Sequence, residues 1–163
     1  MIKQKELWDV LDENGSLTGG TIERDQPLKD GEYHLVVHVW IRNSKGEYLI
    51  QKRTENLTLW PGIWAVAGGC AIKGESSLTA ALREAKEELG INFEPNMLKC
   101  MTRVKLNNAL SDLWLVCQDV SLKDIRMQKE EVSEVKYAAK HEILTMISSN
   151  KFINYGENYM SLL

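Results

Sequence analysis

Between Gly69 and Ile91 the chain reads GCAIKGESSLTAALREAKEELGI, and no other stretch constrains the fold as tightly. Ser76 or Ser77 offers an N-cap, and Leu78, Ala81, Leu82, Ala85 and Leu89 recur at helical spacing until Gly90 supplies a C-terminal stop. At 100° per residue, Glu84, Glu87 and Glu88 fall within about one quarter to one third of the helix circumference, roughly opposite that apolar stripe. One face is therefore expected to be core and the other acid. Like charges at i and i+4, as in Glu84 and Glu88, cost about a few tenths of a kcal/mol on an isolated helix, so the pattern is unfavourable unless a cation collects it.

Clustered carboxylates with no clustered histidines and no thiolate pair point to Mg²⁺ or Mn²⁺ rather than zinc. Such an ion, bound by carboxylates and substrate phosphates, provides what cleavage of a diphosphate link requires. Arg83 stands four residues before Glu87 and is expected to orient that carboxylate; Glu75 and a phosphate are the alternative partners. Gly68 and Gly69 would let the backbone come close to the metal or phosphates, with the Gly69 carbonyl as a further oxygen ligand.

Around this segment the chain alternates strand and turn signals. Glu6 to Arg24 reads as a short hairpin about the turn Asp12-Glu13-Asn14-Gly15. Tyr33 to Ile41 and Glu47 to Arg53 read as two antiparallel strands joined by Asn43-Ser44-Lys45-Gly46. Asn56 to Gly69, with Trp60-Pro61-Gly62, is a loop leading into a brief strand at Trp64 to Ala67. Leu98 to Lys105, Asp112 to Val120 and Val132 to Tyr137 have strand composition, and Ala138 to Ile147 that of a helix. Lys151 to Leu163 is too apolar for a free tail and is expected to pack on the domain or on a partner, which includes a homodimer. The mixed order suggests an α/β or α+β sandwich in one domain over 1–163.

Composition narrows the function. Lys plus Arg total 20 against 23 Asp plus Glu, a net charge of −3, which leaves no broad basic field for a long nucleic acid. No apolar run reaches the roughly 18 residues of a membrane span, and the opening MIKQKELWDV lacks the apolar stretch of a secretory signal, so a cytoplasmic location is expected. The three cysteines, Cys70, Cys100 and Cys117, have no CxxC spacing and read as reduced, mostly buried thiols. Lys52 and Arg53 close a strand just before the tryptophan loop, where they could bind phosphate oxygens while Trp60 offers a face to a base or apolar group.

The pattern at Gly69, Glu75, Arg83, Glu84, Ala85, Glu87, Glu88, Gly90 and Ile91 resembles the Nudix box: G, five residues, E, seven residues, then R-E-apolar-any-E-E-any-G-apolar. Seven positions fixed to one residue type match by chance on the order of once in a million chains of this length. The resemblance implies a Nudix α/β/α sandwich with a mixed sheet, and Mg²⁺-dependent hydrolysis of a nucleoside diphosphate linked to another group. It implies Glu84, Glu87 and Glu88 as metal ligands, Gly69 as a backbone ligand, Arg83 as an orienting partner and Glu75 as its anchor. The general base is left between Glu87 or Glu88 in the box and Glu130, Glu131 or Glu134 in QKEEVSEVKY, with Glu131 the candidate from that later segment.

A second resemblance, over roughly Glu6 to Ile91, is to the Nudix subgroup related to type 1 isopentenyl-diphosphate isomerases. The cysteine that those enzymes use falls at Gly69 here, and the histidine that follows it falls at Ala71. With both groups missing, the chain reads as a hydrolase on a shared scaffold, and an isomerase-like enzyme and a non-catalytic nucleotide sensor are the alternatives.

Overall fold

The computed structural model describes residues 5–163, so the first four residues of MIKQKELWDV lie outside it. Strands β1 (Leu7–Leu11) and β2 (Leu17–Glu23) form the expected hairpin, an antiparallel two-stranded sheet. Asp12 shapes its turn by accepting the Asn14 and Ser16 N–H groups on Oδ1. Strands β3 (His34–Arg42), β4 (Tyr48–Arg53), β5 (Trp64–Ala65), β6 (Ala67–Cys70), β7 (Lys99–Leu106), β8 (Ala109–Cys117) and β9 (Val132–Ala138) build one mixed sheet of seven strands. Its path runs β5-β4-β3-β8-β7, with β9 on β4 and β6 on β3. Among the described strands only β3 and β8 pair in parallel and the other pairs are antiparallel, with an isolated parallel bridge joining Trp64 to Phe152.

Helix α1 (Ser77–Leu89) covers one face of the sheet. Its Ala81, Ala85 and Leu89 pack against Val37, Val39 and Ile41 of β3 and Ala67 of β6. Alternation along the strands sends Trp40, Tyr48 and Ile50 to the other face, where α2 (Lys140–Ser148), Phe152 and α3 (Glu157–Met160) close a second core. The result is the expected α/β/α sandwich. The segment after Lys151 packs on this chain itself: Trp40 Nε1 donates to Tyr159 Oη at 3.1 Å, both side chains being buried.

Several boundaries move for local reasons. β8 begins at Ala109 rather than Asp112 because Asn107, at φ 51°, closes a tight turn directly from β7. It ends at Cys117, and Val120 is instead pinned by both a donated and an accepted bond with Tyr137 Oη. α2 starts at Lys140 because Ala138 is still in β9. The brief strand at Trp64 breaks into β5 and β6 at Val66 as pairing passes from β4 to β3. Cys100, on the edge strand β7, and Cys117, the last residue of β8, are exposed rather than buried. No helix among the described residues is long and apolar enough to cross a membrane.

Tyr159→Phe leaves the buried Trp40 N–H without its acceptor. It is expected to reduce stability by about 1–3 kcal/mol, read as a lower urea midpoint at unchanged slope.

Candidate active site

β4 starts beside β3, pairing Arg42 with Tyr48, and then diverges; β6 takes its place against Val36–Val39. The gap between β4 and β6 is where α1 inserts its acids. Glu88 is 1% exposed, and its Oε2 accepts from Gln51 Nε2 on β4 at 2.7 Å and from the Gly68 N–H on β6 at 3.0 Å. Glu84 is also buried, whereas the Glu87 side chain is half exposed. The expectation of an acid face opposite the core is therefore corrected. Glu88 lies next to Ala81 around the helix and shares the buried face, because sheet donors replace the water it loses.

Arg83 uses all five of its donors. Nε and Nη2 hold Glu75 at 2.7 and 3.0 Å, Nη1 reaches Glu84 at 2.8 Å and Glu87 at 3.0 Å, and Nη2 also donates to the Cys70 carbonyl at 3.0 Å. The three partners considered from sequence thus reduce to carboxylates: Glu75 and Glu87 are both held, and no donor is left for a phosphate. An added Cβ at Gly69 would collide with the Glu84 carboxylate, and one at Gly68 with the Val37 carbonyl, so each glycine admits a close approach.

The ladder distinguishes those two glycines. Within a strand the N–H and C=O of one residue point to the same side, and successive residues alternate. The Gly68 N–H and the Cys70 carbonyl are directed away from β3, at Glu88 and Arg83, while the Ala71 N–H donates to Leu35 on β3. Gly69 consequently turns its carbonyl toward β3, and Gly68 is the residue whose carbonyl points outward.

A cleft of about 370 Å³ opens over this edge. Its lining includes Glu84, Glu87, Arg83 and Glu131 together with the apolar or aromatic Val36, Ala109, Ile153 and Tyr155. Of the expected residues, Arg53, Trp60 and Gly69 also border it, whereas Lys52 does not. Lys52 and Arg53 are consecutive on β4 and so point to opposite faces. Arg53 fastens the tryptophan loop by donating Nε and Nη2 to the Leu59 carbonyl at 3.2 and 3.0 Å. Trp60, at φ 54°, is held out beside the cleft, 59% exposed.

Glu131 arrives from a distant loop. Arg126 N–H bonds Leu89 O and Gln128 N–H bonds Glu88 O, docking that loop on the end of α1, while Thr54 N–H bonds Glu131 O at 3.0 Å. Among the described residues the Glu131 carboxylate has no hydrogen-bond partner, and of Glu130, Glu131 and Glu134 it is the one that borders the cleft. Sequence reasoning passed over Arg24 and Glu6, which the hairpin contributes as an ion pair at 2.8 Å, and Tyr155 from the C-terminal segment. Only tertiary packing brings these to the cleft.

Burial pushes the Glu84 carboxyl up to about 7, against the pull of Arg83, and that of Glu88 up to about 8, with Glu84 adding to the rise. Burial also lowers His38 to about 4, so its ring is neutral between Tyr155 and Ser111, whose Oγ lies 2.9 Å from Nδ1. The Cys70 thiol, half-buried at the cleft, is pushed up to about 12 by burial and stays protonated.

Among the described residues, no three His, Cys, Asp or Glu side chains form a ready-made cage for a metal. Mg²⁺ needs none, since it dehydrates reluctantly and takes one or two carboxylates beside waters and phosphates. Desolvated glutamates next to an outward carbonyl fit a hard cation of this kind, because its charge would relieve the burial that raises them.

Residues 32–155 match the NUDIX domain family, which leaves the β1–β2 hairpin outside the match. The chain is 43% identical over 151 residues to a Nudix hydrolase of Listeria monocytogenes, covering 92% of this chain and 89% of that one. It is 28% identical to an isopentenyl-diphosphate Delta-isomerase of Streptomyces avermitilis, over 91% of this chain and 79% of the relative. The crystal structure of DR0079 from Deinococcus radiodurans superposes with a TM-score of 0.78 at 22% identity, over 96% of this chain and 97% of that chain, and shows the shared fold. The chain belongs to the NUDIX family and is an enzyme of the hydrolase class.

Raised carboxylates set the pH dependence of stability. The folded chain keeps protons on Glu84 and Glu88 that the unfolded chain has released, a contribution lost as pH rises through about 7 to 8; buried neutral His38 opposes it below the ordinary histidine value of 6.5, so stability falls as pH rises between about 6.5 and 8. The thermal midpoint in EDTA is expected to decline from about pH 6.5 to 8, and Glu88→Gln to flatten the decline; differential scanning calorimetry across pH checks both.

Proposed function

We propose that this chain is a Mg²⁺- or Mn²⁺-dependent pyrophosphohydrolase that cleaves the diphosphate linkage of a nucleoside diphosphate derivative by water attack on phosphorus. The observation that carries this reading is one cleft lined by Glu84, Glu87 and Glu131 together with apolar side chains, with every Arg83 donor already taken. Glu84, Glu87 and Glu88 would hold the cation, with Gly68 rather than Gly69 as the backbone ligand. When bound, that cation supplies charge neutralisation at the phosphate oxygens and a more acidic water.

The protein groups divide the remaining work. Arg83 fixes the Glu84 and Glu87 carboxylates against their mutual repulsion. Glu131, whose carboxylate has no partner of its own among the described residues, takes the proton from water as the new oxygen–phosphorus bond forms. The bond from phosphorus to the bridging oxygen breaks, and the leaving phosphate keeps the electron pair. Arg53 retains donors for phosphate oxygens, and Trp60 and Tyr155 offer faces to the organic half. The substrate is thus a small diphosphate.

The isomerase reading draws on the thiol of Cys70 at the cleft. Its protonated state suits an acid, but Ala71, where the isomerases carry histidine, packs in the core beneath α1. That position cannot serve the cleft, and hydrolysis is the better account.

Glu131→Gln and Glu87→Gln are each expected to lower kcat at least about a hundredfold with Mg²⁺ or Mn²⁺. The assay panel comprises nucleoside diphosphates, nucleotide sugars, dinucleoside polyphosphates and isopentenyl diphosphate. Release of phosphate or nucleoside monophosphate supports hydrolysis; alkene isomerisation without phosphate release, or tight binding without turnover, would replace it.

A further inference from the structure

Gln51 sits within β4 after Tyr48, Leu49 and Ile50, and it is 2% exposed. An amide at that depth is costly unless both of its ends are partnered. One end is: Nε2 donates to Glu88 Oε2 at 2.7 Å. That oxygen also accepts the Gly68 N–H, and with Glu88 ionised, as a metal ligand would be, turning the amide over would set oxygen against oxygen. The other end, Oε1, is buried without a partner among the described residues.

Fold stability alone does not account for this arrangement. A buried polar pair can often be replaced by apolar side chains of similar volume at no loss, and here the pair also leaves an acceptor unpaired. What the amide does is immobilise a carboxylate. Both donors converge on Oε2 of Glu88, and Oε1 is the oxygen left for another ligand. The donors come from β4 and β6, the two strands that border the gap, so the carboxylate is braced from both sides.

We infer that Gln51 is a positioning residue for the divalent cation: its Nε2 locks Glu88 for the ion, and its unpaired Oε1 takes a hydrogen bond from a water held in the same site. This rests on the metal-dependent reading proposed above. Gln51 acts through Glu88 and touches neither substrate nor reacting atoms. Its contribution is pre-organisation, since partners that orient a ligand in this way typically change metal affinity by about ten- to a hundredfold.

The test uses Mn²⁺ alone as the probe, with free Mn²⁺ counted by electron paramagnetic resonance and thermal midpoints measured with and without the ion. Gln51→Met keeps the length and removes the amide; it is expected to weaken Mn²⁺ about tenfold and to shrink the Mn²⁺-induced rise in midpoint. Gln51→Asn keeps the amide one methylene short, is expected to weaken Mn²⁺ as well, and serves if the methionine variant fails to fold. Wild-type Mn²⁺ affinity in a folded variant overturns the role of Gln51 and leaves the proposed hydrolysis standing. Failure of the unaltered chain to bind Mn²⁺ overturns both.

Discussion

The departure of β4 from β3 governs the rest of the molecule. A sheet that splays leaves backbone donors without strand partners, and here the Gly68 N–H is met by a glutamate from α1 instead of by a neighbouring strand. Because Glu88 fills that gap, the helix approaches β6 closely, which explains glycine at position 69, where a Cβ would meet the Glu84 carboxylate; at position 68 it would meet the Val37 carbonyl of β3. The closeness also takes water from Glu84 and Glu88, and burial raises both. Acidity, close packing and the cleft therefore have one cause.

Arg83 makes the arrangement tolerable without filling the site. Its five donors end on two carbonyl-side and carboxylate groups beneath the cleft and on the carboxylates of Glu84 and Glu87, so it moderates repulsion while remaining unavailable to a phosphate. Arg53 and Arg24 both border the cleft, one from β4 and the other from the hairpin that precedes the matched family region. Neutral His38 and Tyr155 border the same cleft as the acids.

Much of the fold was legible because local signals agreed. Ser76 caps α1 by accepting the Thr79 N–H, and Gly90 takes the left-handed conformation that ends it, as their positions in the chain suggest. The hairpins at Asp12 and Asn43 follow from side chains that accept nearby N–H groups. The errors arose where a property depends on distant segments. The exposure of Cys100 and Cys117 is set by sheet order, and the opposed directions of Lys52 and Arg53 matter only once one face of β4 is known to meet the cleft.

The residue pattern from Gly69 to Ile91 by itself determined the helix, its caps, the clustering of acids and the family, since each depends on spacing along one short segment. Tertiary structure alone decided that Glu88 is buried, that Gly68 rather than Gly69 turns its carbonyl outward, and that Glu131 joins the site from a loop docked on the far end of α1. Those outcomes depend on strand pairing and on which chain segments meet across the sheet. Spacing along a sequence carries no record of either, because hydrogen bonds and desolvation act between neighbours in space.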